Sequence, residues 1–426
     1  MKQIFNPKSI TLIGASEEKN SVGLGLAKNI LESNKNIFFV NPFKDSVLGL
    51  KCYDKVTDIK SKIDLVVIAV PAKIVKETVI DCASKKVGAV IIISGGFKEA
   101  GKEKEEEEIK KILKESNIPL IGPNCLGIIS NDVNASFAPI KPKKGSIAFL
   151  SQSGAIINSI IDKAGFSKIV SYGNEADLGL VDFLQYLDND KETKVISIYI
   201  EGLKDGRKFM EVAKKISKPI VLIKAGRSKK GKKAVGTHTG SLAGDYEVYK
   251  AAMKQSGVIL VDTIEELLDI SKALSFLPKC KNGIGIITNG GGLGILTTDY
   301  CFQYGVEIPE LKKETISFLD KELKGVKNKN NPLDIIGDAL PERYRVAMEG
   351  LLNQKDINGL IVISASQTMT DHKENAKMVI EMRKKYPLKP IVCCFKEGEL
   401  EESNVPNYPD VMRAVKSIKS LIKNEQ

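Results

Sequence analysis

The chain has no tryptophan, only two histidines and no apolar run approaching the roughly 18 residues of a membrane span. A transmembrane helix is therefore not expected. Its seven cysteines, Cys52, Cys82, Cys125, Cys280, Cys301, Cys393 and Cys394, are odd in number and form no C-x-x-C pair. Neither a disulfide framework nor a zinc site is therefore indicated, and the cysteines read as reduced thiols. The opening MKQIFNPKSITLIGAS runs into a strand pattern without the cleavage signature of a secretory leader, so a cytoplasmic protein is expected. A net charge of +11 invites a nucleic-acid reading, but the excess is lysine spread along the chain beside many glutamates. Without aromatic residues interleaved among the basic ones, no nucleic acid is expected as a partner. The excess fits a solvated surface with local basic loops for phosphate-bearing small ligands.

What is present is an alternation. Short Val- and Ile-rich runs are separated by longer amphipathic stretches, which implies parallel sheets covered by helices in an α/β fold. At 426 residues there is room for about three domains. The first third holds SITLIG, IFFVN, LVVIAV, AVIIIS and PLIG, and the middle holds SIAFLS, KIVSY, VISIYI, PIVLIK and VILVD. The last third holds GIGIIT, GLIVIS and PIVCCF. The stretch Ala138 to Gly145 and the connection Pro278 to Gly283 divide them into three consecutive doubly wound domains at 1–140, 145–277 and 283–426. The charge run Lys102 to Lys111 reads as the solvated face of a helix.

In such folds ligands sit at the carboxyl ends of the strands. Gly14, Ala15 and Ser16 end the first strand, and Gly23 and Gly25 open the helix that follows, so a phosphate can approach backbone and helix dipole there. The spacing is not G-x-G-x-x-G. The second strand ends in Asn41-Pro42-Phe43-Lys44, where an NAD enzyme would place an acidic residue. Lys44 suits an extra phosphate, as in coenzyme A or NADP, if it is more than a turn lysine. Val70 and Pro71, Ser94 and Gly95, and Asn124 and Cys125 occupy the next strand ends. Cys125 reads as a buried small hydrophobe rather than a nucleophile.

In the second domain Ser151, Gln152, Ser153 and Gly154 join a strand to a helix. Ser153 as N-cap would leave an anion site at the helix start, or be a plain cap. Glu201 ends the VISIYI strand, where it can orient an imidazole or cap the next helix. The stretch Lys224 to Gly244 carries Lys224, Arg227, Lys229, Lys230, Lys232 and Lys233, five glycines and His238. It reads as a connection of roughly 20 residues without secondary structure, a length that marks a functional or disordered segment. An imidazole among backbone N–H groups can carry a phosphoryl group, and the other reading is a surface histidine on a basic loop. In the third domain Asn289 to Gly294 follows a strand and Asn331 to Asp334 lies in a loop. The glycines serve either another phosphate site or close packing. His372 is either an accessory polar group or, as favoured here, a surface residue.

GAS, VNPFK, SGGFKEAG, GPNCLG, FLSQSGA, YIEG, THTGSLAG, NGGGLGILTTD and NPLDIIGDA occur in this order over essentially the whole chain. Together they resemble the NDP-forming acyl-CoA synthetases, most of all the alpha subunits of ADP-forming acetate-CoA ligases. The first two domains also resemble the alpha subunit of succinyl-CoA synthetase, which lacks the third. The resemblance implies a Rossmann-like CoA-binding domain followed by two flavodoxin-like domains of succinyl-CoA synthetase type. It implies that His238 is transiently phosphorylated, that Glu201 orients it, and that Ser151, Gln152, Ser153 and Gly154 hold phosphate. Gly14, Ala15, Ser16, Gly23, Lys44, Val70, Pro71, Ser94, Gly95, Asn124 and Cys125 would line the coenzyme A site.

The activity so implied converts acyl-CoA, phosphate and ADP reversibly into a small carboxylic acid, CoA and ATP. No ATP-grasp segment or Walker loop is found. The resemblance then implies that ADP or ATP with Mg²⁺ sits on an ATP-grasp beta subunit, in an α2β2 heterotetramer, and that this chain holds no metal. A ligase for another acid is the neighbouring possibility. A non-catalytic CoA-sensing module would not need the histidine loop, and an NADP-dependent dehydrogenase would need a hydride-transfer acid or base that is missing.

Overall fold

The computed structural model describes residues 1–239, 245–327, 329–395, 400 and 403–423. They fall into two units, Met1–Asp262 and Thr263–Gln426. The apolar runs form strands buried on both faces, as parallel sheets with helices on each side require. Unit one holds two seven-stranded sheets. The strands of the first are β1 (Ser9–Ile13), β2 (Asn36–Val40), β3 (Ser46–Val47), β4 (Leu50–Tyr53), β5 (Leu65–Ile68), β6 (Val90–Ile92) and β7 (Leu120–Ile121), in the order β3-β4-β2-β1-β5-β6-β7. All pairs but β3–β4 are parallel.

The second sheet contains β8 (Gly127–Ser130), β9 (Asn134–Ser136), β10 (Lys143–Ser151), β11 (Gly165–Ser171), β12 (Val195–Ile200), β13 (Ile220–Lys224) and β14 (Ile259–Val261), in the order β14-β13-β12-β10-β11-β8-β9. The hairpin β8–β9 pairs antiparallel onto β11. Residues 127–136 therefore extend the second sheet, ahead of the boundary near 140 expected from composition. Gly127 permits this join: its φ is +107° and a Cβ there would lie 2.1 Å from the Ala135 carbonyl oxygen.

Unit two is built on β15 (Ile284–Thr288), β16 (Leu333–Asp334), β17 (Gly359–Ile363) and β18 (Ile391–Cys394), all parallel in the order β16-β15-β17-β18. It opens with the helix Ile264–Phe276, which Thr263 caps. That helix buries Leu267, Leu268, Ile270, Ala273 and Leu274 and packs on Val411–Leu421, where Arg413 pairs with both carboxylate oxygens of Asp269 at 2.5 and 2.8 Å. This packing places it in unit two, so the unit begins before the 277–283 connection.

Two further expectations change. The acidic run is the helix Glu103–Glu115, with Ile109 and Leu113 buried, but Glu106 is buried too and serves as an acceptor. The stretch after β13 is not structureless: Lys229–Thr239 is helical. Ser228 starts it, its Oγ accepting from Gly231 N at 3.0 Å and its carbonyl from Lys232 N at 2.8 Å, and the lysines and Ala234 favour the helix while Gly231 and Gly236 do not. Residues 240–244 of the expected loop lie outside the described residues.

Candidate functional site

The carboxyl ends of the first sheet form one edge. Gly14 has φ +92°, and a Cβ on it would lie 2.4 Å from the Ala69 carbonyl oxygen. A Cβ on Gly23 would lie 2.3 Å from the Gly14 carbonyl oxygen, so the two glycines let strand, loop and the helix Val22–Leu31 approach without side chains between them. Ala15 is buried, and Ser16 Oγ accepts from Glu18 N. Asn41 ties the second strand end to the first: its Nδ2 donates to the Ala15 carbonyl at 2.8 Å and its Oδ1 accepts from Phe43 N at 3.0 Å. The turn so fixed presents Lys44 to solvent beside Phe43, which is 86% exposed.

The remaining strand ends are tied in a row. Ser94 Oγ donates to the Val70 carbonyl at 2.5 Å, and Asn124 N donates to the Ser94 carbonyl at 3.0 Å. Pro71 is the N-cap of the helix Ala72–Lys85. Gly95 sits against Asn124 and Glu99, each 3.1 Å from where its Cβ would be. Cys125 is buried, its thiol donating to the Ile92 carbonyl and pushed up to about 12 by burial, so it is no thiolate at neutral pH.

Sequence reasoning missed the group that joins this edge to the second sheet. Asn174, after β11, donates to Glu99 Oε2 at 2.6 Å and to Glu106 Oε2 at 2.7 Å, and accepts from Asn124 Nδ2 at 3.3 Å. Glu99 also accepts from Gly96 N and Phe97 N. Burial would raise the Glu99 carboxyl, but these hydrogen bonds outweigh it and hold it below its usual range. Short polar residues in glycine-rich loops carry no periodicity that would have marked them.

In the second sheet the strand order reverses at β10, which lies between β12 and β11. Crevices at such switch points are where doubly wound sheets bind ligands. Ser151, the last residue of β10, is buried; its Oγ donates to the Ser153 carbonyl at 2.7 Å and accepts from Ser153 N at 3.0 Å. Ser153 is the N-cap of the helix Gly154–Ile160, but its side chain makes no capping bond, unlike the expectation. The Ser151 hydroxyl has already taken the Ser153 N–H. Gln152 reaches across to the end of β12, its Oε1 accepting from Glu201 N at 2.5 Å and Gly202 N at 3.1 Å and its Nε2 donating to the Gly202 carbonyl at 3.1 Å.

Glu201 is 4% exposed. It does not cap the following helix, Gly206–Ala213, because Asp205 does, accepting from Lys208 N at 2.9 Å. Its neighbour Tyr199 is pushed up to about 12 by burial, by the Glu201 charge and by a hydrogen bond to Glu201. Lys224, the last residue of β13, is buried beside it, with Nζ donating to the Glu201 carbonyl at 2.8 Å. Arg227 anchors the chain three residues on, pairing with Asp262 at 2.5 Å and donating to the Val261 carbonyl at 2.8 Å. His238 lies in the last turn of the helix Lys229–Thr239, and its side chain is outside the described residues.

In unit two Asn289 is buried and clamps the end of β17, donating to the Ala365 carbonyl at 2.9 Å and accepting from Ala365 N at 2.7 Å. Of the glycines at the start of the helix Gly291–Tyr304, Gly291 and Gly294 sit closely against neighbouring side chains. A Cβ on them would lie 2.9 Å from Asp334 Oδ2 and 3.0 Å from Thr288 Cγ2. Gly292 faces open space. His372 is not simply a surface residue: it is half-buried, its Nε2 is 2.9 Å from Ser366 Oγ, and it begins the helix His372–Lys385. Among the described residues no cluster of side chains could hold a metal ion, and no helix is long and apolar enough to cross a membrane.

Residues 8–131 match the family model of a CoA binding domain, and residues 144–274 match that of a succinyl-CoA ligase like flavodoxin domain. An ADP-forming acetate-CoA ligase I of Archaeoglobus fulgidus is 42% identical over 99% of this chain, which spans 63% of that relative's length. The alpha subunit of ADP-forming acetate-CoA ligase II of Pyrococcus furiosus is 39% identical over 99% of this chain and 97% of its own. Among solved structures, the dinucleotide forming acetyl-coenzyme A synthetase 1 of Ca. Korarchaeum cryptofilum, in complex with phosphate and ADP, superposes with a TM-score of 0.93 at 33% identity. The match covers 99% of this chain and 96% of that one. With both chains matched nearly end to end at these identities, the chain belongs to the family of the ADP-forming acetate-CoA ligases.

Proposed function

We propose that the chain is the alpha subunit of an ADP-forming acyl-CoA ligase with acetate as its acid, working with an ATP-grasp beta subunit. The supporting relative is named as a subunit and matches this chain over nearly its whole length, whereas the Archaeoglobus relative is longer. In the first step phosphate attacks the thioester carbonyl; the C–S bond breaks, and CoA and an acyl phosphate form. In the second an imidazole nitrogen of His238 attacks the acyl phosphate, releasing the acid. In the third the phosphoryl group passes to ADP, which the beta subunit holds with Mg²⁺, and ATP is formed.

The division of labour follows the strand ends. CoA occupies the edge of the first sheet, lined by Gly14, Ser16, Val70, Pro71, Ser94, Gly95 and Asn124, with Lys44 on the ribose phosphate. Gly23, Ala15 and Cys125 act there through backbone and packing, since Ala15 and Cys125 are buried and Gly23 makes room for the Gly14 carbonyl. Ser151, Gln152, Ser153 and Gly154 present phosphate at the helix start. Glu201 accepts a hydrogen bond from one ring nitrogen of His238, which fixes the tautomer and leaves the other nitrogen basic. The observation that carries this reading is Glu201 itself, a buried carboxylate residue at the switch point whose backbone N–H is held by Gln152 Oε1.

The experiment uses the purified protein with acetyl phosphate carrying a labelled phosphoryl group. One acid-labile, base-stable phosphate per chain is expected on His238, and none in His238→Asn. Label that persists on another residue in the variant overturns the assignment.

A further inference from the structure

The structure assigns a task to Lys224 that its place in a basic stretch conceals. β12 and β13 are parallel neighbours, with Ile200 opposite Lys224. The lysine thus stands beside the residue after Ile200, which is Glu201. A lysine 1% exposed at the end of an otherwise apolar strand is rare, because removing an ammonium from water is costly unless every donor is used. Here Nζ donates two hydrogen bonds, to the carbonyls of Glu201 and Ala225, and its charge lies 4.8 Å from the centre of the Tyr249 ring, a cation–π contact.

Tyr249 belongs to the helix Tyr246–Gln255, and its hydroxyl accepts from Leu203 N at 3.1 Å. The segment that contains His238 therefore leaves from Lys224 and returns before Tyr249, and both roots are fastened to Glu201–Leu203. We infer that Lys224 is a positioning residue, which locks the strand end bearing Glu201 to the root of the histidine segment and keeps a fixed positive charge beside that carboxylate. This rests on the role proposed above for Glu201. Among the described residues, the charged and titratable groups that act on the ammonium are Glu201 on the β12 side, Lys232 on the helix Lys229–Thr239, and Tyr249, whose ring it faces. Burial lowers the Lys224 pKa and Lys232 lowers it further, while Glu201 acts in the opposite sense.

The test is a double-mutant cycle of Lys224→Gln and Glu201→Gln, with Lys224→Arg alongside. A glutamine amide keeps two donors and removes the charge and its contact with the Tyr249 ring, in a side chain one bond shorter, while arginine keeps the charge. Phosphorylation of His238 by labelled acetyl phosphate is followed in time, and CoA affinity is measured by calorimetry on the same preparations. Lys224→Gln is expected to slow phosphorylation about tenfold, within the range of coupled neighbours, and to leave CoA affinity within about twofold. In the Glu201→Gln background the same change should do little more, and Lys224→Arg should restore most of the rate.

A parental rate in Lys224→Gln overturns the proposal. So does an equal slowing in both backgrounds, which would leave the role of Glu201 standing. A parental rate in Glu201→Gln overturns that role and the proposal together. Should Lys224→Gln fail to fold, Lys224→Arg decides, since a rate as low as that of Glu201→Gln in a protein of parental CoA affinity also overturns it.

Discussion

At the scale of residues, what a side chain can do here depends on whether the strand end hands it to solvent or to a neighbour. Lys44 is handed to solvent by a turn that Asn41 fixes at both ends. If it meets the ribose phosphate, CoA should bind more tightly than dephospho-CoA by roughly 1.5–3 kcal/mol, the range for hydrogen bonds to charged groups. Calorimetry with both ligands reads the difference, and Lys44→Ala should erase it. Equal affinities in the parent protein return Lys44 to the status of a turn residue. Lys44 and Glu201 were legible in the sequence because a charge at the end of an apolar strand run stands out. Lys224 obeys the same rule, yet the five basic residues that follow it made it look like the first of a solvated group. Cys125 was legible as a buried hydrophobe, and its raised pKa agrees with that reading.

At the scale of elements, glycines and carboxylates decide how closely loops and helices approach. Gly23→Ala would place a methyl group 2.3 Å from a backbone oxygen, which no side-chain rotation can relieve. The helix Val22–Leu31 must then shift. We expect a loss of roughly 1–3 kcal/mol, the usual range for overpacking, seen as a lower urea midpoint at unchanged slope. A variant as stable as the parent would show that this helix is not held by the Gly14 contact.

The loop after β6 is held instead by Glu99, whose pKa in the folded protein lies below its ordinary value. A depressed carboxyl contributes stability above its unfolded pKa of about 4.3 and loses it as pH falls through the folded value. Urea midpoints at pH 7 and pH 4 should therefore differ more for the parent than for Glu99→Gln. Equal differences would mean that the Glu99 hydrogen bonds add nothing that titrates. None of these contacts was readable beforehand, because they join residues that are 2 to 75 positions apart through polar side chains without a pattern. The helix at Lys229–Thr239 was missed for another reason: glycines and consecutive lysines were read as a breaker-rich loop.

At the scale of the whole chain, the function proposed above gives this chain CoA, acyl transfer and a phosphohistidine, and gives the nucleotide to a partner. On that proposal the purified chain with acetyl-CoA, phosphate and ADP makes no ATP, and adding an ATP-grasp beta subunit restores synthesis. Robust ATP synthesis by the 426-residue chain, with no second polypeptide detected by mass spectrometry, would overturn it. The sequence alone determined the α/β class, the parallel sheets and the edge on which the motifs lie, because strand periodicity and glycine-bearing turns are local properties of the chain. It also carried the family, through motifs kept in order from GAS to NPLDIIGDA. Only the tertiary structure decided that residues 127–136 complete the second sheet, that the helix Ile264–Phe276 belongs with the last helix, and that Asp205 rather than Glu201 caps the helix Gly206–Ala213. It alone showed Lys224 turned inward. Each of these depends on which distant surface an element buries and on which donor is left for which acceptor, and such choices are settled only when the sheets pack.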